Sequence, residues 1–185
     1  MHSVCVYCGS KVGKHPEYRR AAQRLGELLA ARGLHLVYGG GQVGLMGVIA
    51  DAVLAGGGRV IGVIPDRLAT KELLHPGVQE MHVVATMHER KAKMTQLADA
   101  FIAMPGGYGT FDELFEAITW AQLGYHNKPI GLLNTAGYFD PLLQLIGHAI
   151  EEQFIATRHA DLVIHEAEPE RLLDRLTADP RVTSS

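Results

Sequence analysis

The chain has 185 residues, of which 47% are hydrophobic, and it carries a formal net charge of -3. This length is typical of one domain, and this apolar fraction is enough for a buried core. The sequence has no long basic run, which argues against extended nucleic-acid contact, and no apolar run of the ~18 residues that a membrane helix needs. Its first residues lack a charged flank followed by a long apolar region, so we expect no signal peptide and a cytoplasmic protein.

Apolar runs of strand length alternate with helical patterns along the chain. Strands are predicted at residues 4–7, 34–38, 60–64, 81–84, 100–104, 130–133 and 162–164, and helices at 17–32, 45–55, 89–98, 111–123, 139–154 and 169–178. Residues 66–79 are predicted to be irregular, with at most a short helical turn. No repeat or linker interrupts the pattern, which favours one domain over residues 1–178 and a loose tail over residues 179–185.

Strands that are apolar on both faces and alternate with helices predict a parallel sheet covered by helices on both sides. Right-handed crossovers then give an α/β domain with a doubly wound, Rossmann-like sheet. Ligands of such sheets bind at the carboxyl ends of the strands. The turns expected along that edge contain Gly9-Ser10, Gly39-Gly40-Gly41 and residues 66–72, 86–90 and 105–110.

The most informative of these turns is the run from Pro105 to Glu113, which reads PGGYGTFDE. A glycine-rich turn between a buried strand and a helix leaves backbone N–H groups free for an anion, and the helix dipole adds to the attraction. The hydroxyl of Thr110 is a further donor for the same phosphate. Glu113 lies one helical turn (~5 Å) further on, where a carboxylate beside a phosphate is unfavourable, so we expect it to have another role.

A second glycine-rich turn runs from Gly39 to Gly47. It lacks the spacing of the dinucleotide fingerprint, and no Walker lysine follows it. Tight packing of a helix on the sheet and contact with a nucleotide or phosphate are both consistent with it. Residues 56–58 are also glycines, but they lie at the opposite edge and are predicted to end a helix.

Polar and apolar residues on the following elements suggest further roles. Arg90 and Lys91 lie near the start of a helix, where two cations oppose the dipole. This suggests a function, in which Arg90 faces an anionic substrate or its leaving group, and a solvated helix end is the alternative. Glu72 lies in the irregular loop, where a solvated side chain is the ordinary expectation. The helix over residues 111–123 is apolar on most sides, which is consistent with a core helix or a dimer interface.

The cysteines and histidines give no metal pattern. Cys5 and Cys8 have the spacing of half a zinc site or a redox pair, but alternation along a strand points them to opposite faces. We therefore predict two core thiols. The ten histidines are scattered without metal spacing, so no metal is expected.

Together these motifs resemble those of the Lonely guy family, the cytokinin riboside 5'-monophosphate phosphoribohydrolases, whose members were often mislabelled lysine decarboxylases. The resemblance extends from Cys8 to about Ile164. It rests on residues 105–110 with Glu113, on residues 87–91 and on residues 38–47. The loop at 105–110 alone also occurs in related nucleotide-binding and molybdenum-cofactor carrier proteins.

The resemblance implies a set of site residues. Arg90 and Glu113 match the catalytic pair, and Arg90 also matches a nucleotide contact. The expected substrate-binding residues are Ser10, Gly40, Gly41, Glu72, Lys91, Gly106, Gly107, Tyr108, Gly109, Thr110, Asp112 and Thr119. Asp112 stands where a glutamate is common in the family.

The resemblance also implies hydrolysis of the N-glycosidic bond of adenosine 5'-monophosphates that carry an N6 substituent. The products are a free base and ribose 5-phosphate, with no metal or cofactor, in a homodimer whose sites lie near the subunit interface. A nucleotide or molybdenum-cofactor carrier that binds without cleaving is the alternative. A lysine decarboxylase is poorly supported, because Lys91 and Lys128 have no pyridoxal-phosphate context.

Overall fold

The computed structural model of the chain describes residues 1–70, 73–78 and 80–182. Its strands are β1 (Ser3–Tyr7), β2 (His35–Tyr38), β3 (Val60–Pro65), β4 (Glu80–Val84), β5 (Ala100–Ala103), β6 (Ile130–Leu133) and β7 (Val163–Glu166). Its helices are α1 (Pro16–Ala31), α2 (Gly44–Ala55), α3 (Met87–Leu97), α4 (Tyr108–Gln122), α5 (Asp140–Glu151) and α6 (Pro169–Thr177). No helix in the described ranges is long and apolar enough to cross a membrane.

The seven strands form one parallel sheet in the order β4-β3-β2-β1-β5-β6-β7. Helices α1, α2 and α6 pack on one face, and α3, α4 and α5 pack on the other. The predicted α/β class with a doubly wound, Rossmann-like sheet is confirmed. Because β1 is followed by a helix on the first face and its neighbour β5 by a helix on the second, the loops after these strands form the switch point where such sheets bind ligands.

The largest differences from the predicted elements lie at helix ends. Helix α3 begins two residues early because the hydroxyl of Thr86 accepts a hydrogen bond of 3.1 Å from the N–H of Glu89 and so caps the helix. Helix α4 begins three residues early, directly after Gly107. Helix α5 ends three residues early, before Gln153, whose φ of 64° lies in the left-handed region.

The predicted separation of the two thiols is confirmed. Cys5 packs into the core against α3 and α4, whereas Cys8 packs into the core against α1 and α2. Both are free and buried, and burial is the main cause that raises the pKa of each thiol well above its ordinary value. They are therefore core residues and not nucleophiles.

The described residues of the loop between β3 and β4, 66–70 and 73–78, form more contacts than an irregular loop suggests. It begins with a 3-10 turn at Asp66–Leu68, as expected for a short helical turn. Leu74 then forms an antiparallel bridge with Gly41, and the N–H of His75 donates a hydrogen bond of 3.1 Å to the carbonyl of Gly40. The loop therefore folds back over the glycine turn after β2. Glu72 lies outside the described residues.

Candidate active site at the switch point

The loops after β1 and β5 are in direct contact. The N–H of Gly9 donates to the carbonyl of Pro105 at 3.1 Å, and a Cβ placed on Gly9 would lie 3.2 Å from the Cα of Gly106. The N–H of Met104 also donates to the carbonyl of Tyr7 at 2.8 Å. A side chain at Gly9 would crowd this approach, and the two loops form one floor at the carboxyl edge of the sheet.

The N-terminus of α4 opens onto this floor. Gly107 precedes the helix in an extended conformation, no side chain among the described residues caps it, and the first turn contains no acidic residue. The N–H groups of Tyr108, Gly109 and Thr110 have no partner within the helix and lie at the positive end of its dipole. This arrangement is suited to an anion.

The side chains of this loop differ in what they can contribute. Thr110 is buried, and its hydroxyl occupies the space that a Cβ on Gly106 would need. Tyr108, by contrast, is 94% exposed, so what it offers this loop is its backbone N–H. The structure therefore brings Gly106, Gly107, Gly109 and Thr110 together as the sequence predicts.

A residue that the sequence analysis missed stabilises the loop from the side. Tyr138 donates its hydroxyl hydrogen to the carbonyl of Gly106, and its ring packs edge-on against Tyr18 and Phe139. Tyr138 follows a tight turn in which Gly137 has a φ of 68°. No spacing in the sequence links this turn to a loop 32 residues earlier.

A cleft of ≈ 360 Å³ lies above these loops. Ser10 from the loop after β1 lines it together with Gly106, Gly107 and Tyr138. Its remaining lining residues are Gly9, Lys11, Val12, Gly13, Tyr18, Leu45 and Pro105. Ser10 thus shares a cleft with Gly106 and Gly107 of the glycine-rich loop.

A buried ion pair lies on the other side of the loop. Arg90, from the first turn of α3, places its Nη1 2.9 Å from Oε1 of Glu113 on α4. Its Nε donates to the carbonyl of Val63 at 3.1 Å. The two side chains are only 14% and 9% exposed, so the pair is held in a largely dry environment.

The glycine turn after β2 leaves room for the side chain of Arg90 in this ion pair. A Cβ on Gly39 would collide with the guanidinium of Arg90, so glycine is needed for the arginine to reach its position. Gly40, with a φ of 75°, packs against Met81, and Gly41 packs against Met46. The sequence leaves two interpretations of this turn open, helix packing and contact with a nucleotide or phosphate, and the structure shows the packing directly. The backbones of Gly40 and Gly41 already pair with the loop before β4.

The charge state of Glu113 is set by two opposing effects. Burial raises the pKa of this carboxyl above its ordinary value, and the guanidinium of Arg90 opposes that rise. A raised pKa in the folded state means that the ionised form is destabilised there relative to the unfolded chain. Arg90 is therefore the main group that keeps a carboxylate at this position.

This raised pKa predicts a pH dependence of stability. Relative to a Glu113→Gln variant, the wild-type free energy of unfolding should fall as the pH rises from the ordinary glutamate range through the raised pKa, and then level off. Urea unfolding of both proteins at a series of pH values measures the difference. A difference that stays constant, or that grows in favour of the wild type with rising pH, would contradict the burial argument.

Lys91 is engaged by carboxylates on α4. Its Nζ lies 3.1 Å from Oδ2 of Asp112 and 2.8 Å from Oε2 of Glu116. Burial lowers the pKa of Lys91, but the hydrogen bonds with Glu116 and Asp112 outweigh it, and the net direction is upward. Lys91 therefore links α3 to α4 beside the Arg90–Glu113 pair.

Two other predicted residues lie on the outer side of α4. Asp112 and Thr119 line an open surface cleft of ≈ 530 Å³ together with Tyr108, Phe111, Phe115, Glu116 and Trp120. Within one chain, the structure thus separates Asp112 and Thr119 from the cleft that contains Ser10 and Gly106. Over the described ranges, no group of three or more His, Cys, Asp or Glu side chains could hold a metal ion.

Comparison with protein families gives a consistent relationship. A family model described as "Possible lysine decarboxylase" matches residues 46–176. The chain is 51% identical over 175 residues to the probable cytokinin riboside 5'-monophosphate phosphoribohydrolase LOGL6 of Oryza sativa subsp. japonica, covering 95% of this chain and 70% of that protein. It is also 51% identical over 173 residues to the cytokinin riboside 5'-monophosphate phosphoribohydrolase LOG4 of Arabidopsis thaliana, covering 94% and 80%.

Solved structures share the fold at lower identity. The X-ray structure of TM1055 superposes with a TM-score of 0.73 at 25% identity and covers 97% of this chain and 100% of that one. The molybdenum cofactor binding protein from Rippkaea orientalis superposes with a TM-score of 0.71 at 24% identity, covering 96% of both chains. These similarities extend over the whole sheet and its helices.

Proposed function

Since the chain belongs to the family of cytokinin riboside 5'-monophosphate phosphoribohydrolases, we propose that it hydrolyses the N-glycosidic bond of N6-substituted adenosine 5'-monophosphates. The products are the free base and ribose 5-phosphate. The observation that carries this proposal is the buried Arg90–Glu113 pair on one side of an uncapped helix N-terminus. An anion cradle and a buried carboxylate next to it are what a phosphorylated sugar and a developing positive charge require.

The 5'-phosphate is proposed to bind at the start of α4. The N–H groups of Gly107 to Thr110 and the hydroxyl of Thr110 donate to its oxygens, and Ser10 faces it from the β1 loop. This binding energy is not used at the bond that breaks. It fixes the ribose so that C1' faces Glu113, and the energy of phosphate binding therefore serves to orient the reacting atoms.

The reaction is proposed to proceed as the base departs and positive charge develops on the ribose. The carboxylate of Glu113 stabilises this charge, or orients a water toward C1', or does both. The C1'–N bond breaks, the water oxygen bonds to C1', and a proton from that water goes to the departing base. Arg90 keeps Glu113 ionised and assists the departing base electrostatically, because a guanidinium does not give up its proton.

A lysine decarboxylase activity is not proposed, despite the description of the matching family model. A Schiff base requires a neutral lysine amine within reach of the cofactor. Lys91 is held by Asp112 and Glu116, and the Nζ of Lys128 donates to the carbonyl of Thr95 at 2.7 Å, just before the N-terminal end of β6. Lys128 is therefore at the edge of the sheet opposite the cleft.

The dependence on the phosphate tests the proposal. Wild-type protein should release free base from N6-isopentenyladenosine monophosphate and release little or none from N6-isopentenyladenosine. Chromatography of both mixtures measures this. Equal release from the two compounds would show that the cradle does not bind the phosphate in the reacting complex.

The phosphate loop itself gives a matched pair of variants. Gly106→Ala should raise KM for the nucleotide at least about tenfold, because the new Cβ collides with Thr110 and displaces the donors. Gly109→Ala is the control, since nothing lies within 4 Å of its Cβ. Steady-state kinetics of both variants measure the effect. A Gly106→Ala protein that kept the wild-type KM would show that the cradle is not the phosphate site.

A homodimer through α4 and α5 is also proposed. Both helices lie on the same face of the sheet and contact the 3-10 segment Thr157–Leu162, and α5 has no fully buried residue. Large apolar side chains are exposed on or next to these helices: Phe115, Leu123, Tyr125, Leu145 and Phe154. A second copy seated there would cover the outer cleft of α4 and bring Asp112 and Thr119 into a site shared between subunits.

The double variant Leu145→Asp/Phe154→Asp should shift a dimer to monomers in sedimentation velocity, because two charges would enter an apolar interface. Val83→Asp is the control: Val83 is also an exposed apolar side chain, but it lies on the β4 edge strand. A wild-type protein that sediments as a monomer at every concentration tested would contradict the dimer.

A further inference from the structure

Two cations near the proposed phosphate site, Arg90 and Lys91, are already engaged. A phosphate monoester carries about −1.5 to −2 charges at neutral pH. The guanidinium of Arg90 is held by Glu113 and by the carbonyl of Val63, and the ammonium of Lys91 is held by Asp112 and Glu116. The donors of the glycine loop are neutral N–H groups. Neither Arg90 nor Lys91 therefore offers the phosphate an uncommitted positive charge.

Lys11 offers an uncommitted positive charge. It is exposed, and it lines the ≈ 360 Å³ cleft together with Gly106 and Gly107 of the phosphate loop. In the part of the chain that the structure describes, its ammonium forms no ion pair, whereas Arg90 and Lys91 both do. Lys11 is thus an unpaired cation, within the described residues, that lines the same cleft as Gly107, the residue before α4.

The backbone of Lys11 is held in place, so that its position is a fixed feature of the fold. The N-terminus of α2 packs directly on this loop: the N–H of Leu45 donates to the carbonyl of Gly9 at 3.0 Å. A Cβ on Gly44, which has a φ of 64°, would collide with the backbone of Ser10 and Lys11. A flexible four-carbon stem on a fixed backbone lets the ammonium follow a phosphate within the cleft.

We propose that Lys11 binds the 5'-phosphate of the substrate, as the charged partner of the N–H groups of the glycine-rich loop. This inference rests on the proposed function. The two positively charged side chains then have different roles. Arg90 acts on the breaking bond through Glu113, and Lys11 binds the phosphate.

Removal of this charge should weaken phosphate binding without changing the chemical step. Lys11→Met should raise KM for N6-isopentenyladenosine monophosphate about tenfold, with kcat close to the wild-type value, because a charge-assisted contact is lost. Lys11→Arg should restore most of the affinity. Lys14→Met is the matched control, because Lys14 is an exposed lysine of the same loop that does not line the cleft.

Binding measurements separate this inference from the proposed function. Calorimetry should show that ribose 5-phosphate binds Lys11→Met about tenfold more weakly than wild type, while adenine binds both equally. Wild-type affinity for ribose 5-phosphate in Lys11→Met, or an equal loss for adenine, would overturn the role of Lys11. A wild type that releases no base would overturn the proposed function, and the ribose 5-phosphate comparison would still decide the role of Lys11.

Discussion

Replacement of Glu113 with glutamine is expected to reduce base release by about a thousandfold or more while nucleotide binding is retained. Glutamine keeps the size of the side chain and removes its negative charge. That charge is the only part of Glu113 that favours an oxocarbenium-like transition state over the neutral ground state. The kcat of the variant, together with its affinity for adenosine monophosphate measured by calorimetry, tests this expectation.

The matched control lies one turn along the same helix. Glu116→Gln removes a carboxylate that faces Lys91 instead of Arg90, so it should change kcat by less than about tenfold. A Glu113→Gln protein with wild-type turnover would remove Glu113 from the chemistry. Loss of binding together with turnover would instead show that Glu113 acts in forming the site and not in the reaction.

Replacement of Arg90 with glutamine is expected to have the second-largest effect. Glu113 then remains buried without its cation, so its pKa rises further and a larger fraction of the carboxyl is protonated at neutral pH. We expect kcat to fall at least about a hundredfold, because both the electrostatic help to the departing base and the ionised carboxylate are lost.

The same substitution should destabilise the fold. Removal of one member of a buried pair costs about 3 kcal/mol at neutral pH when the other charge is left uncompensated, and less at low pH, where Glu113 is neutral. The double variant Arg90→Gln/Glu113→Gln should regain stability without regaining turnover. Urea unfolding and steady-state kinetics of the single and double variants measure both effects. An Arg90→Gln protein with wild-type kinetics would exclude Arg90 from the mechanism.

Local sequence patterns were sufficient to predict the fold class of this protein and the edge of the sheet where the candidate site lies. The alternation of strands and helices predicted the parallel sheet, and the sheet placed the turns after β1, β2 and β5 along one edge. The spacing of Gly106, Thr110 and Glu113 predicted that an anion cradle and a carboxylate would lie one helical turn apart. These features depend on residues close together in the chain, which is why pattern alone reveals them.

Contacts between distant segments were not predictable in this way. The hydrogen bond from Tyr138 to Gly106 joins loops on neighbouring strands, and Gly39 is needed because the guanidinium of Arg90 comes to lie against it. Lys91 pairs with Asp112 and Glu116 because of how α3 packs on α4. Lys11 lines the cleft without an ion pair, among the described residues, because of where the loop after β1 packs. Each depends on the tertiary arrangement and has no signature in spacing.

The most direct test of the account is product analysis of the wild type and the Glu113→Gln variant with N6-isopentenyladenosine monophosphate and with adenosine monophosphate. We predict that the wild type alone releases free base and ribose 5-phosphate in equal amounts, and that both proteins bind the nucleotides. The ratio between the two substrates measures how strongly the base pocket selects the N6 substituent. A wild type that binds both nucleotides and cleaves neither would contradict the hydrolase and favour a nucleotide carrier.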